Sequence, residues 1–262
     1  MTHRQFYEYL LVELNTVKAP SLHLEDFLYF GNKGVQEYVN ERYRKFAESQ
    51  QLSDDLQALN STVNATVVLI NNVLQVSYQG SNIDLLHILN PITSGNKYNS
   101  GYIQVRLPPK YFHLLNCLVK IKTNLAYKCV PGGYTHGTQA KRLTSDVGAN
   151  IMNNSFLAPD YRTPYYSIVD DYVSNEKQGA IQLYYGDPNK FSVESFTIDY
   201  LKTPALITMT PAERDSVLDT TTSLEFPEYV CNEIIKRTVK LILENQNNPR
   251  IQTHIPTNQT IE

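Results

Sequence analysis

The sequence predicts an α+β subunit. An N-terminal helical hairpin and a C-terminal helix pack together, an antiparallel β domain is inserted between them, and an extended arm ends the chain. Three observations predict this. Apolar residues recur at helical spacing in the first 46 residues and again over 230–243. Between those stretches apolar and polar residues alternate, punctuated by Asn, Gly and Pro. Beyond residue 244 the chain is polar, with two prolines and few large apolar side chains. The predicted parts are a hairpin at 1–60, a mainly β domain at 61–210, a C-terminal helix at 211–244 and a docking arm at 245–262.

Thr2 to Val17 reads as a helix capped by Thr2, with Phe6, Leu10, Leu14, Tyr7 and Leu11 on one stripe. Leu24 to Phe46 reads as a longer helix. Gly31 and Gly34 share its apolar face, which implies either close approach of another backbone or a local distortion. Ser53-Asp54-Asp55 reads as a helix cap.

The middle reads as strands. Val63 to Leu69 and Leu74 to Tyr78 flank a tight turn at Asn71-Asn72. Residues 80–101 read mostly as loop, and Lys110 to Leu115 as one helical turn. Cys117 to Ile121 and Leu125 to Val130 read as a strand pair before a turn at Pro131-Gly132-Gly133. Thr138 to Met152 reads as a helix. Tyr165–Val173, Ala180–Tyr185 and Ser192–Leu201 read as an antiparallel meander with one wet face, and Ala205 to Thr210 as a short edge strand.

Phe226-Pro227 starts the C-terminal helix, where proline suits the first position. Val230, Ile234 and Leu241 form one apolar line, and Ile235, Val239 and Leu243 another. Asn247-Asn248-Pro249 stops it. The polar residues that follow read either as an arm reaching a neighbour or as a frayed terminus.

Composition narrows the function. The chain has 262 residues, 19 Tyr, no Trp, and only 19% charged residues. Tyrosine richness fits extensive protein contact, and equally an ordinary β-rich domain. The net charge of −3 argues against a protein that wraps nucleic acid. Three cysteines imply no disulfide framework. No apolar run approaches the roughly 20 residues of a membrane span, and no apolar signal core follows Met1, so a soluble protein made inside a cell is expected.

No catalytic constellation stands out. The phosphate-loop, dinucleotide, nucleophile-elbow and zincin patterns are absent. His113 with Cys117, and Cys129 with His136, are poor metal pairs without further ligands. Asp170-Asp171 are adjacent on a strand and face opposite ways. Arg42-x-Arg44-Lys45 and Lys141-Arg142 read as helix-surface charges. No enzyme, cofactor or metal is expected.

The run FYEYLLVELNTVKAPSLHLEDFLYFGNKGVQEYVNERY, followed by LSDDLQAL, resembles the head–tail connector (adaptor) ring proteins of short-tailed double-stranded DNA phages, with the ring proteins of crAss-like phages the nearest likeness. RTPYY (162–166), FTIDYLKTP (196–204) and LEFPEYVCNEIIKRTVKLILENQNNPRIQTH (224–254) extend that resemblance over nearly the whole chain. It implies a virion subunit in a ring, usually dodecameric, that joins the portal protein to other tail ring proteins. Genomic DNA passes through the channel without sequence-specific binding, and no membrane is involved. Carried onto this chain, the ring-packing face is Phe226, Tyr229, Val230, Ile234, Arg237 and Leu241, and the docking arm uses Pro249, Arg250, Ile251, His254 and Ile255. The first 60 residues hold six Lys+Arg against nine Asp+Glu, compatible with a channel wall that does not trap phosphates. The alternatives are a β-rich receptor- or carbohydrate-binding tail module, marked by clustered aromatics in a groove, and a hydrolase with dispersed residues.

Overall fold

Thr2 starts the chain with a capping box. Its hydroxyl accepts from Gln5 N at 3.1 Å, and the Gln5 amide oxygen accepts from Thr2 N at 3.1 Å. The helix that follows is α1 (His3–Thr16), in the computed structural model of this chain. That structure describes residues 1–16, 22–45, 54–70, 73–79, 86–87, 101–107, 110–126, 130–144, 148, 150–151, 154, 156–173, 176–187, 189–216 and 222–245. The architecture is α+β, with helices at both ends of the chain and sheets between. It divides into two units, Met1–Asn60 with Thr203–Glu262, and Ser61–Lys202.

The helical unit contains α1, α2 (Leu24–Arg44), a short α3 (Pro211–Asp215) and α4 (Glu228–Asn245). Both α1 and α2 pack along α4, and they meet each other where Phe6 and Tyr7 contact the Phe27 ring. The predicted α1 stripe of Phe6, Leu10 and Leu14 is buried, and so are Phe27, Val35, Tyr38 and Val39 beside the glycines on the apolar face of α2. On α4 the buried set is Val230, Cys231, Ile234, Ile235, Thr238, Val239, Ile242 and Leu243. The glycines of α2 mark close approach. A Cβ on Gly34 would collide with Thr238 Oγ1, and one on Gly31 would lie 3.2 Å from Ile207 Cδ1.

Two segments differ from the sequence expectation. Ala205–Thr210 forms no strand. Ile207 and Met209 are buried, Ile207 N donates to Asn32 Oδ1 at 2.7 Å, and Asn32 Nδ2 returns a bond to Ile207 O at 3.1 Å. The segment therefore belongs to the helical unit, which the chain re-enters at Thr203 rather than at 211. Thr210-Pro211-Ala212-Glu213 closes a second capping box and starts α3. The two ends of the described chain are stitched together as well. Thr2 bridges to Ser223, Leu224 N donates to Met1 O at 3.0 Å, and the buried His3 ring lies 2.9 Å from Thr208 O.

The β unit holds ten strands among the described residues: β1 (Asn60–Ile70), β2 (Val73–Gln79), β3 (Leu86–His87), β4 (Gly101–Arg106), β5 (Tyr111–Thr123), β6 (Thr135–Gln139), β7 (Lys141–Arg142), β8 (Tyr165–Val173), β9 (Glu176–Gly186) and β10 (Phe191–Lys202). One sheet runs β3-β2-β1-β10-β5-β6, the other β4-β9-β8-β7. Ile70 pairs with Val73, so the β1–β2 hairpin has the predicted two-residue connection, although Asn71 and Asn72 lie outside the described residues.

Four expectations are corrected here. Lys110–Leu115 is no helical turn, because Tyr111 onward pairs with β10 from Lys202 back to Phe191. The partner of β5 on its other side is Thr135–Gln139, so β5 does not pair with Leu125–Val130, and of the helix expected over Thr138–Met152 the stretch Thr138–Arg142 is extended while 148 and 150–151 are helical. The expected β8-β9-β10 meander is split, since β9 and β10 lie in different sheets and β7 pairs parallel with β8. Both sheets face one core, including Leu114, Cys117, Val119 and Ile121 of β5, Ile181 and Leu183 of β9, and Phe196 and Ile198 of β10.

Candidate functional site

The predicted ring-packing residues fall into two groups. Phe226, Val230 and Ile234 are buried inside the helical unit and unavailable to a neighbour, because the apolar face of α4 is covered by α1 and α2. Leu241 is only half-buried, and Ile242 takes the core position the spacing assigned to it. Tyr229 is 50% exposed, and Arg237 reaches the surface in part. The docking-arm residues Pro249, Arg250, Ile251, His254 and Ile255 lie outside the described residues, as does Cys129.

Around Tyr38 the helical unit carries a charged network that the sequence reading missed. Asp55 was expected to act as a helix cap, yet it is 1% exposed. Its carboxylate accepts from Tyr229 OH at 2.8 Å and from Tyr38 OH at 3.4 Å. Arg42, expected as a surface charge, donates from Nη2 to Glu233 Oε2 at 2.6 Å. Arg42 Nε is 3.7 Å from Asp55 Oδ2, beyond hydrogen-bond reach. Arg237 pairs with Glu41, and both guanidinium groups lie over the Tyr38 ring, at 5.3 Å for Arg42 and 5.4 Å for Arg237. Burial pushes the Tyr38 hydroxyl pKa up. Burial also opposes the charge on Arg42, but hydrogen bonds to Glu233 and Tyr38 outweigh it and raise that pKa. Apart from Arg42 Nε, which is buried without a hydrogen-bond partner, these groups satisfy one another, so the network is better built for holding α2, α4 and the 54–59 segment together than for chemistry.

In the β unit polar side chains face outward on the six-stranded sheet. Thr62 Oγ1 donates to Asp199 at 2.7 Å, Asn116 to Asp199 at 3.4 Å, and Gln139 to Asn116 at 2.8 Å. This row crosses β1, β10, β5 and β6. Beside it lies a shallow groove of about 520 Å³ lined by Leu118, Lys120, Gly137 and Thr197, among others.

A second groove, of about 430 Å³, is built from two turns. The first is the predicted Pro131-Gly132-Gly133 turn, with Gly133 at φ +86°. Thr123, fully buried, pins it by donating from its hydroxyl to Pro131 O at 2.8 Å and accepting from Tyr134 N at 3.1 Å. The second is pinned by Asp160, whose Oδ1 accepts from Arg162 N at 2.8 Å and Thr163 N at 2.9 Å. Thr138 Oγ1 donates to Arg162 O at 3.2 Å, tying β6 to this turn. Val130, Pro131, Tyr134, His136, Tyr161 and Arg162 line the space between. The Tyr134 and His136 rings stack at 6.3 Å and 23°, and His136 meets buried Tyr161 edge-on at 5.7 Å. Arg162 lies over the Tyr161 ring at 5.1 Å and donates from Nε to its hydroxyl at 2.6 Å. The PGGY and RTPYY stretches marked this region in the sequence; their convergence needed the fold.

Among the described residues no group of three or more His, Cys, Asp and Glu stands where a metal ion could be held. Cys117 and Cys231 are buried and unbridged. Burial, helped by Asp199, pushes the Cys117 thiol up to about 12, and burial pushes the His113 imidazole down. Lys141-Arg142 sits on a short exposed strand rather than on a helix. Side-chain positions of Asp170 and Asp171 lie outside the description of β8. No helix among the described residues is long and apolar enough to cross a membrane. No protein-family model matches the chain, and no curated protein matches it.

Proposed function

We propose that the chain is a structural virion protein, a head–tail connector ring subunit that joins a portal to a tail and surrounds the DNA channel. The observation that carries this reading is the set of large apolar side chains left exposed in both units. Phe156 is 96% exposed, next to half-exposed Leu157, in the β unit. In the helical unit Tyr9, Val12, Tyr29, Leu206 and Tyr229 are all about half exposed or more. Large exposed aromatic groups are the side chains that protein contacts favour.

The covered face of α4 moves the proposed ring contact outward. Tyr229, Arg237 and Leu241 remain from the expected face, and Tyr9, Val12 and Tyr29 join them. The C-terminal sequence leaves from Asn245, the end of a helix anchored by two others. That anchorage suits a terminal segment that docks on a portal or a neighbour. The role is mechanical, with a slightly acidic stretch over the first 60 residues that passes DNA without holding it.

The test is light scattering and negative-stain imaging of the full chain, alone and mixed with portal protein. Rings, or a portal complex lost on deleting 246–262, are the expected result. Phe156→Ala is expected to leave the melting temperature unchanged and weaken assembly. A chain that stays monomeric with its portal overturns the reading. The carbohydrate-binding alternative also draws on a specific observation, the aromatic groove between the two pinned turns.

A further inference from the structure

The Tyr134–Arg162 groove has the make-up of a ligand site. Its two turns are fixed before any ligand arrives, one by the Thr123 hydroxyl and the other by the Asp160 carboxylate. Pre-organised walls reduce the ordering cost of binding. The volume of about 430 Å³ falls in the range of small-ligand sites. Its lining pairs flat apolar faces with polar groups that the fold leaves without partners. Among the described residues, the Tyr134 hydroxyl and the His136 ring nitrogens make no hydrogen bond, and the Arg162 terminal nitrogens face no carboxylate. Tyr134 is 44% exposed although it flanks a buried tyrosine.

We propose that this groove binds a carbohydrate that carries a carboxylate, an acidic pyranose. The near-parallel Tyr134 and His136 rings line the groove and supply aromatic faces. Their electron-rich faces attract the weakly positive C–H face of a pyranose. Arg162 is held by Tyr161 through Nε, which leaves its terminal nitrogens to fork onto a carboxylate. His136 and the Tyr134 hydroxyl supply the donors and acceptors that ring hydroxyls need. One cation in the lining matches one carboxylate and is fewer than a nucleotide's phosphates require. The inference does not depend on the connector reading, since a ring subunit and a free β module present the same groove.

The experiment titrates the full-length chain with trigalacturonate and with its methyl ester, by calorimetry and by NMR line shifts. The two ligands share a shape and differ in charge. Saturable binding of the acid is expected, with the ester at least about tenfold weaker, the worth of a charged hydrogen bond. Arg162→Gln is expected to abolish that preference, and Tyr134→Ala to weaken both ligands. If Arg162→Gln lowers the melting temperature, Arg162→Lys takes its place and is expected to retain part of the preference. Tyr134 is exposed enough for its variant to stay folded. Absence of saturable binding, equal binding of acid and ester, indifference to both variants, or tighter binding of a tetraglutamate peptide would each overturn the proposal.

Discussion

The two units handle polar groups in opposite ways. In the helical unit they turn inward: Asp55, Tyr38, Arg42 and His3 are drawn into contacts between segments far apart in sequence. In the β unit they turn outward: Thr62, Asp199, Asn116 and Gln139 form a row on an open sheet face, and the shared core is apolar and aromatic. The difference follows from chain order. The β unit is one continuous stretch, and its ladders, several of them between remote strands, satisfy the backbone within the unit. The helical unit is assembled from both chain ends, so register between α2, α4 and the 54–59 segment must be fixed by specific pairs, which buried polar groups supply at a cost in raw stability.

The sharpest way to break this comparison sets Asp55 against Asp199. Asp55→Leu strands the buried Tyr38 hydroxyl, removes the acceptor of Tyr229 and weakens the field that Arg42 sits in, and is expected to cost about 3 kcal/mol. Asp199→Asn keeps the shape of a partly exposed acceptor and is expected to cost less than about 1 kcal/mol. Urea unfolding of both variants, followed by far-ultraviolet circular dichroism, checks the ratio; equal costs would erase the contrast.

Glycine gives the next test. Gly34→Ala drives a methyl into Thr238 and is expected to cost about 1–3 kcal/mol. Removing the hydroxyl with Thr238→Ala leaves room, because the Thr238 Cβ is 3.4 Å from the new methyl. The double variant should recover at least about 1 kcal/mol of the loss. Gly137→Ala on β6 meets nothing nearer than Lys120 Cγ at 3.9 Å, and is expected to shift stability by no more than about 0.5 kcal/mol.

The same contrast explains which features could be read from sequence. Regular periodicity gave α1, α2 and α4, because each buries a continuous stripe, and alternation gave the β1–β2 hairpin. The close approach at Gly34 was legible as one of two meanings of two glycines on one helix face. Tyr111–Leu115 was misread because irregular pairing opposite Tyr200 and Lys202 breaks the alternation that signals a strand. Thr138–Arg142 was misread because its pairing partners are remote, Leu118 and Val119 on one side and Tyr165 on the other. The α3 capping box, Thr210 with Glu213 around Pro211, was present as a local signature and went unused. The Asp55 network and the aromatic groove join segments over a hundred and about thirty residues apart, respectively, and no local pattern encodes such pairs.

A smaller effect should appear in acid. The Arg237 hydrogen bond holds the Glu41 carboxyl below its ordinary value of 4.5, against the opposing pull of burial. A depressed folded-state pKa contributes stability that is present above the unfolded value and lost as pH falls through the folded one. The helical unit should therefore weaken below about pH 4.5, and Glu41→Gln should flatten that limb by less than about 1 kcal/mol, since the pair is partly exposed. Melting temperatures between pH 3 and 7 check this, and an unchanged slope in the variant would remove Glu41 from the account.

The two described cysteines allow the units to be read separately without altering either. Cys117 lies in the β unit and Cys231 in the helical unit, both buried. Burial raises both thiols, Cys117 to about 12, so neither offers appreciable thiolate at pH 8 while folded. Each then reacts with iodoacetamide only through opening of its own surroundings, and its rate follows local stability. In the Asp55→Leu variant, Cys231 labelling should accelerate by about the factor that the lost stability implies, up to a hundredfold for about 3 kcal/mol, while Cys117 labelling stays at the wild-type rate. Peptide mass spectrometry resolves the two sites. Equal acceleration at both would mean that the units open as one body, and that the inward and outward polar patterns belong to a single cooperative structure.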